Sequence, residues 1–183
     1  MSYAYDTIAD IIRLGEENNI SFGDVVLRYE LENYDRSEDA VVREIENRLD
    51  IFESSIQDGI AYAEKTASGM SGGQAAQLNG QTPRFMSDIA YKAMTYAIAV
   101  NEANAKMFRI VACPTAGSCG VMPGAVKAVA DHYQLDRATV VKGFLAASGI
   151  GNVVANRACV CWCCWRLPSG NRYSGVYGGR GHC

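Results

Sequence analysis

Much of what would assign a chain of 183 residues to a class is missing from this one. There is no excess of positive charge: 17 Lys and Arg stand against 20 Asp and Glu, for a net charge of −3. With no basic stripe or Arg-rich arm to meet a phosphate backbone, nucleic acid is not an expected partner. No uncharged apolar run reaches the ~18 residues of a membrane span, so none is expected. Met1 to Leu14 carry Asp6, Asp10 and Arg13 where a secretory leader needs an apolar stretch, which leaves the cytoplasm as the expected location. Period-two alternation is nearly absent, so the fold class expected is all-α. Histidine is scarce, and neither His132 nor His182 sits in a catalytic pattern; His132 closes a helix and is expected at the surface. Tryptophan does not occur in residues 1–160, whereas 161–183 hold both Trp and four of the seven Cys. The change of vocabulary divides the chain into a helical domain over 1–160 and a separate tail over 161–183. With no export signal and an odd count, the cysteines point to metal, redox or catalytic thiols and not to a disulfide framework.

What is present reads as helices. The first 67 residues hold 16 of the 20 acidic residues. Ser21 with Asp24 forms a capping-box pattern ahead of Val25, Val26 and Tyr29. Ser37, followed by Glu38 and Asp39, marks a second N-cap. From there Val41, Val42, Ile45, Leu49, Phe52, Ile56, Ile60 and Ala63 recur at spacings of three and four, one apolar face of a long helix. Residues 68–82 form a Gly-rich connection in which Gly72 and Gly73 could lend bare backbone to an anion or to a close neighbour. A helix is expected over Pro83–Arg109, apolar on most of its girth and therefore buried. Its Asn101, Glu102 and Asn104 are either caps or residues facing a site.

The segment Ile110-Val-Ala-Cys-Pro-Thr-Ala-Gly-Ser-Cys-Gly-Val-Met-Pro-Gly124 is the most distinctive. Pro114 is expected to break the preceding helix. Thr115 to Gly120 are small, rich in hydroxyl and backbone N–H, and precede a helix from Val121. Such a loop can cradle a carboxylate or phosphate. A tight turn between buried helices explains the small residues but not Thr115, Ser118 and Cys119 together between glycines. Two further helices follow, Val121–His132 and Arg137–Ser148, joined at Gln134-Leu135-Asp136, the second ending at Gly149-Ile-Gly151.

Residues 83–160 closely resemble the α-chain domain of the iron–sulfur L-serine dehydratases. The resemblance rests on Ala99-Val-Asn-Glu-Ala-Asn104, on Ile110 to Gly120 with Pro123-Gly124, and on Gly151-Asn-Val-Val-Ala-Asn-Arg157. It is looser over the first 67 residues, and Gly72-Gly73 matches a Gly-Gly pair of the family. It implies conversion of L-serine to pyruvate and ammonia with a [4Fe–4S] cluster, one iron acting as a Lewis acid. It places Thr115, Ala116, Gly117 and Ser118 in the substrate-side loop, with Asn101 and Asn104 beside it on the helix that feeds it. The general base has no candidate. Cluster ligands in the family lie further along, beginning at a Gly-Cys-Gln segment, so Cys113 and Cys119 are expected to be small loop residues and are only weak metal candidates. The two-chain form of the family implies a separate β chain and an oligomeric enzyme. A cysteine-desulfidating relative is the neighbouring alternative. A pyridoxal-phosphate dehydratase is not supported, since no Gly-rich phosphate loop pairs with a placed lysine.

After Val160 the sequence leaves the family. Cys159, Cys161, Cys163 and Cys164 crowd together, but without the paired spacing of a structural zinc site. A small Cys-rich metal-binding protein remains the alternative from another class. The genetic code offers a sharper reading. With one extra nucleotide near the Val160 codon, Trp162 before Cys163 and Trp165 before Arg166 each re-read as a forced Gly. Permitted codon choices turn the tail into AGAAGGCQAEIGTAVSMAAGAT, with the cysteine of Gly-Cys-Gln encoded across Leu167 and Pro168. An out-of-frame tail is therefore expected, and with it a chain that alone holds no cluster.

Overall fold

The computed structural model describes residues 2–34, 36–113 and 115–157. The tail, with Cys159 to Cys183, His182 and its out-of-frame reading, lies outside the described residues, as does Pro114. Seven α-helices follow in order: α1 Ile8–Asn18, α2 Phe22–Tyr34, α3 Glu38–Ala61, α4 Gln74–Leu78, α5 Asp88–Ala105, α6 Val121–Tyr133 and α7 Arg137–Arg157. A 3-10 turn, Ala116–Ser118, precedes α6, and no strand occurs among the described residues. The all-α expectation stands.

Local chemistry sets the helix starts. Thr7 and Asp10 form a reciprocal capping box at α1, a start the sequence reading did not single out. Ser21 and Asp24 form the expected one, the Asp24 N–H donating to Ser21 Oγ at 3.2 Å and the Ser21 N–H to Asp24 Oδ2 at 3.2 Å. Ser37 does occupy the N-cap of α3, but its side chain makes no capping bond; its carbonyl accepts from the Ala40 and Val41 N–H groups.

Helix ends departed from expectation more than helix starts. α3 stops at Ala61, so Ala63 is exposed beyond it, while Ser55 and Gly59 join the buried face. α5 is shorter than Pro83–Arg109. It begins after Ser87, whose Oγ accepts from the Ala90 N–H. It ends where Phe108 N–H bonds the Ala103 carbonyl and Met107 N–H bonds that of Asn104. Met107 there is left-handed, φ 64°, so this is a Schellman end without a glycine. Pro114 is therefore not what stops α5. Gly149-Ile-Gly151 does not end α7, which continues to Arg157. A β carbon at Gly149 would run into Val26, so that glycine serves packing and not a turn.

Two clusters form the core. The larger joins α1, α2, α3 and α7 through Ile11, Val25, Val26, Leu49, Phe52 and Phe144, with the Phe52 and Phe144 rings 5.7 Å apart. The smaller joins α3, α4, α5 and the 3-10 turn through Ile56, Ala75, Ala99, Val100 and Cys119. α3 runs through both, so the apolar face read along it is the shared beam of the fold. Each large side chain buried here is worth roughly 1.5–3 kcal/mol. By length and composition α7 could cross a membrane (an 18-residue window has mean hydropathy 1.4), although Lys142 lies in it and one side packs on α2.

Candidate functional site

The second half of α5 positions the loop between α5 and α6. α6 lies close along α5 because Gly120 and Gly124 face it: a β carbon at Gly124 would sit 2.7 Å from the Ala93 carbonyl oxygen, and one at Gly120 would strike that of Ala97. That contact places Thr115 to Gly120 beside Asn101 and Asn104. Asn104 donates from Nδ2 to the Ala116 carbonyl at 3.1 Å. Asn101 Oδ1 accepts from the Cys119 thiol at 3.6 Å. The structure thus brings all six expected substrate-side residues, Asn101, Asn104, Thr115, Ala116, Gly117 and Ser118, to one place.

Within the loop the hydroxyls fasten the turn. Ser118 Oγ donates to the Cys113 carbonyl at 2.9 Å and accepts from the Thr115 N–H at 3.3 Å. Thr115 Oγ1 lies 3.0 Å from Ser118 Oγ. With Ser118 donating to Cys113, the Thr115 hydroxyl donates in turn to Ser118. Ser118 therefore holds the loop, while Thr115, Ala116 and Gly117 are exposed. Ala116 and Gly117 open the 3-10 turn, where the first N–H groups have no partner inside the helix. Free N–H groups in an exposed turn beside a hydroxyl can receive a small carboxylate.

Glu102 has a different task. It is 3% exposed, and its carboxylate accepts N–H bonds from Gly73 at 2.8 Å, Gln74 at 2.7 Å and Ala75 at 3.3 Å. Of the uses open to the Gly72-Gly73 backbone, an anion or a close neighbour, the Gly73 N–H takes an anion, and it is the chain's own. Gly73 adopts φ +83°, and a β carbon there would press on the Ala63 carbonyl at 2.5 Å. Lys106 Nζ lies 3.8 Å from the same carboxylate. Helix α4, inside what reads as a plain Gly-rich connection, exists because Glu102 caps it. The signal for it was there: an acidic residue on an apolar helix and a Gly-Gly pair, each lacking a partner.

Cys113 is half-buried and Cys119 fully buried. Burial pushes both thiols above the ordinary cysteine range, away from the thiolate that binds iron. Among the described residues no three His, Cys, Asp or Glu side chains come together as a metal site. These residues do not fit a [4Fe–4S] cluster. His132 is exposed, edge-on to Tyr133 with ring centres 4.9 Å apart.

Comparison with known proteins gives the family. A model of the family described as serine dehydratase alpha chain matches residues 17–161. The chain is 32% identical over 156 residues to the L-serine dehydratase, alpha chain, of Peptoniphilus asaccharolyticus, covering 84% of this chain and 53% of that one. It is 29% identical over 159 residues to the probable L-serine dehydratase, alpha chain, of Bacillus subtilis (strain 168), covering 85% and 53%. Over 73 residues it is 44% identical to the probable L-serine dehydratase, alpha chain, of Latilactobacillus sakei, covering 40% and 35%. The chain spans about half the length of the first two relatives.

Proposed function

We propose, from the premise that this chain belongs to the serine dehydratase alpha-chain family, that it supplies the substrate-side part of an α chain converting L-serine to pyruvate and ammonia. The observation that carries the reading is the bracket of Asn101 and Asn104 around a loop in which Thr115, Ala116 and Gly117 are exposed. In this role the two N–H groups receive the serine carboxylate and Thr115 the β-hydroxyl, while Ser118 and the two Asn hold the turn rigid. The reaction removes the Cα proton and the β-hydroxyl as water; the enamine becomes an imine, and water releases ammonia and leaves pyruvate. No described residue is assigned as the base.

The [4Fe–4S] cluster that the resemblance implies takes no ligand from the described residues. Its thiolates are assigned to the part of the family's chain that this sequence does not match, and Cys113 and Cys119 are assigned to packing. We place the working enzyme in the cytoplasm, as an oligomer with a separate β chain, in amino-acid catabolism. The out-of-frame reading of 161–183 leaves this chain alone without a cluster and without activity.

A chimera tests the function. Residues 17–157 of this chain replace the matched part of the Peptoniphilus α chain in its enzyme, reconstituted anaerobically. Pyruvate released from L-serine, with no sulfide from L-cysteine, is the expected result. Sulfide release would favour the cysteine-desulfidating alternative. A chimera that carries the cluster but turns over neither amino acid would overturn the assignment.

A further inference from the structure

We infer that Cys119 is a positioning residue: its thiol fixes the side-chain amide of Asn101 so that Asn101 offers the substrate its Nδ2 hydrogens and not its carbonyl. An asparagine amide can sit either way round, as donor or as acceptor, and its neighbours decide which. Here two neighbours decide together. The Cys119 thiol donates to Asn101 Oδ1, with the sulfur at 3.6 Å. Nδ2 then passes over Gly120, where a β carbon would meet it at 2.9 Å. Gly120 has no side chain to obstruct Nδ2 or to accept from it. Cys119 is fully buried and Asn101 is exposed, so a group fixed in the core aims a side chain at the surface.

The direction holds because the thiol stays protonated. Burial pushes it above the ordinary cysteine range. A thiolate would accept instead, drawing Nδ2 inward and turning Oδ1 out. Packing alone does not ask for sulfur, since the neighbours of Cys119 in the smaller core cluster are Ile56, Ala75, Ala99 and Val100, all apolar. The orientation matters beside Asn104, which is bonded through Nδ2 to the Ala116 carbonyl and has its acceptor oxygen left. Asn101, bonded through Oδ1, has its donors left. One donor and one acceptor match the carboxylate and the ammonium of an α-amino acid. With the Asn101 amide turned over, both residues would present acceptors, and the carboxylate would meet a repelling oxygen.

This role rests on the proposed reading of the loop as the substrate side, and two readouts on the full isotope-labelled chain keep the two apart. In the free chain, a nuclear Overhauser contact from the Asn101 Nδ2 protons to the Gly120 Hα is expected. Cys119→Ser, which retains a donor, should keep it, and Cys119→Ala should lose it. In titrations with L-serine, Cys119→Ala should weaken binding about threefold to tenfold, the effect of one neutral hydrogen bond, and Cys119→Ser should weaken it less. Ala and Ser leave similar space, so their difference reads the donor and not the cavity. In an Asn101→Ala background, Cys119→Ala should change binding by less than about twofold, because a residue acting through Asn101 has nothing left to act on. A packing role would give the same loss with or without Asn101. Absence of the contact in the wild type, a contact unchanged in Cys119→Ala, or equal losses in the two backgrounds would overturn the inference. A chain that shows the contact, loses it in Cys119→Ala and yet binds no L-serine upholds the orienting of Asn101 and overturns the substrate-side reading instead.

Discussion

Replacing Glu102 by Ala probes the joint between the two halves of the site region. The carboxylate is buried and accepts two short N–H bonds, at 2.8 and 2.7 Å, with a third at 3.3 Å. Hydrogen bonds to a charged group contribute about 1.5–3 kcal/mol each, so the two short ones set a loss of about 3–6 kcal/mol. Lys106, its side chain 10% exposed, also loses its anion, though it still donates to the Tyr62 carbonyl. For a domain of this size that corresponds to a fall of roughly 6–24 °C in melting temperature if the unit unfolds together. If α4 opens locally instead, the melting temperature moves less, and the Gly73, Gln74 and Ala75 amides lose their protection from exchange. A circular-dichroism melt combined with hydrogen exchange distinguishes the two. Glu102→Gln keeps the volume and one acceptor oxygen, and should cost about half as much. A Glu102→Ala chain that melts within about 2 °C of the parent and keeps those three amides protected would refute the reasoning.

Three further outcomes are expected. Gly124→Ala forces a methyl to 2.7 Å from the Ala93 oxygen and should destabilise by about 1–3 kcal/mol, whereas Gly143→Ala, with open space, should stabilise the chain alone by up to about 1 kcal/mol; urea midpoints read both signs. Thr7 holds the Asp10 carboxyl, and Thr139 the Asp136 carboxyl, below the usual carboxylate range. Carboxyls lowered on folding contribute stability above their unfolded value of about 3.9 and lose it as pH falls through the folded one, so Thr139→Ala should lower the urea midpoint at pH 6 and converge with the parent below about pH 3, while Thr7→Ala should narrow its gap over the same range but keep the part owed to the lost cap of the Asp10 N–H. The purified chain, reconstituted anaerobically with iron and sulfide, should show no cluster absorbance and release no pyruvate from L-serine; a stable cluster with turnover would contradict the out-of-frame reading of the tail.

How much of this was legible depended on where the deciding interactions lay along the chain. Capping at α2 is local, three residues across, and the Ser21–Asp24 pair is as readable in sequence as in space. The face of α3 follows from spacing alone. The ends of α1, α5 and α6 were harder, because Asn19, Met107 and Gln134 take the left-handed position where glycine is the usual sign. Conversely, Gly149 and Gly151 read as a helix end but lie inside a helix; Gly149 is kept for its close approach to Val26, and such a glycine looks the same as one kept for a turn. The two signs of helix α4, Glu102 on an apolar helix and the Gly-Gly pair, were in the sequence, but 27 to 29 residues separate them and nothing local says that they pair. At the site, the loop motif and the two Asn were legible as a group, but the inward engagement of Ser118 was not: a hydroxyl in a sequence does not say which carbonyl it has found.

The most direct test of the central claim is a titration of the isotope-labelled chain with L-serine, followed at the backbone amides. The substrate-side reading predicts saturable shifts at Thr115, Ala116, Gly117 and Ser118 with the Asn104 side-chain amide, weakened by Thr115→Ala and absent with glycerol, which lacks the carboxylate. Saturable shifts elsewhere in the fold, or none at Ala116 and Gly117 with the loop signals assigned, would contradict it.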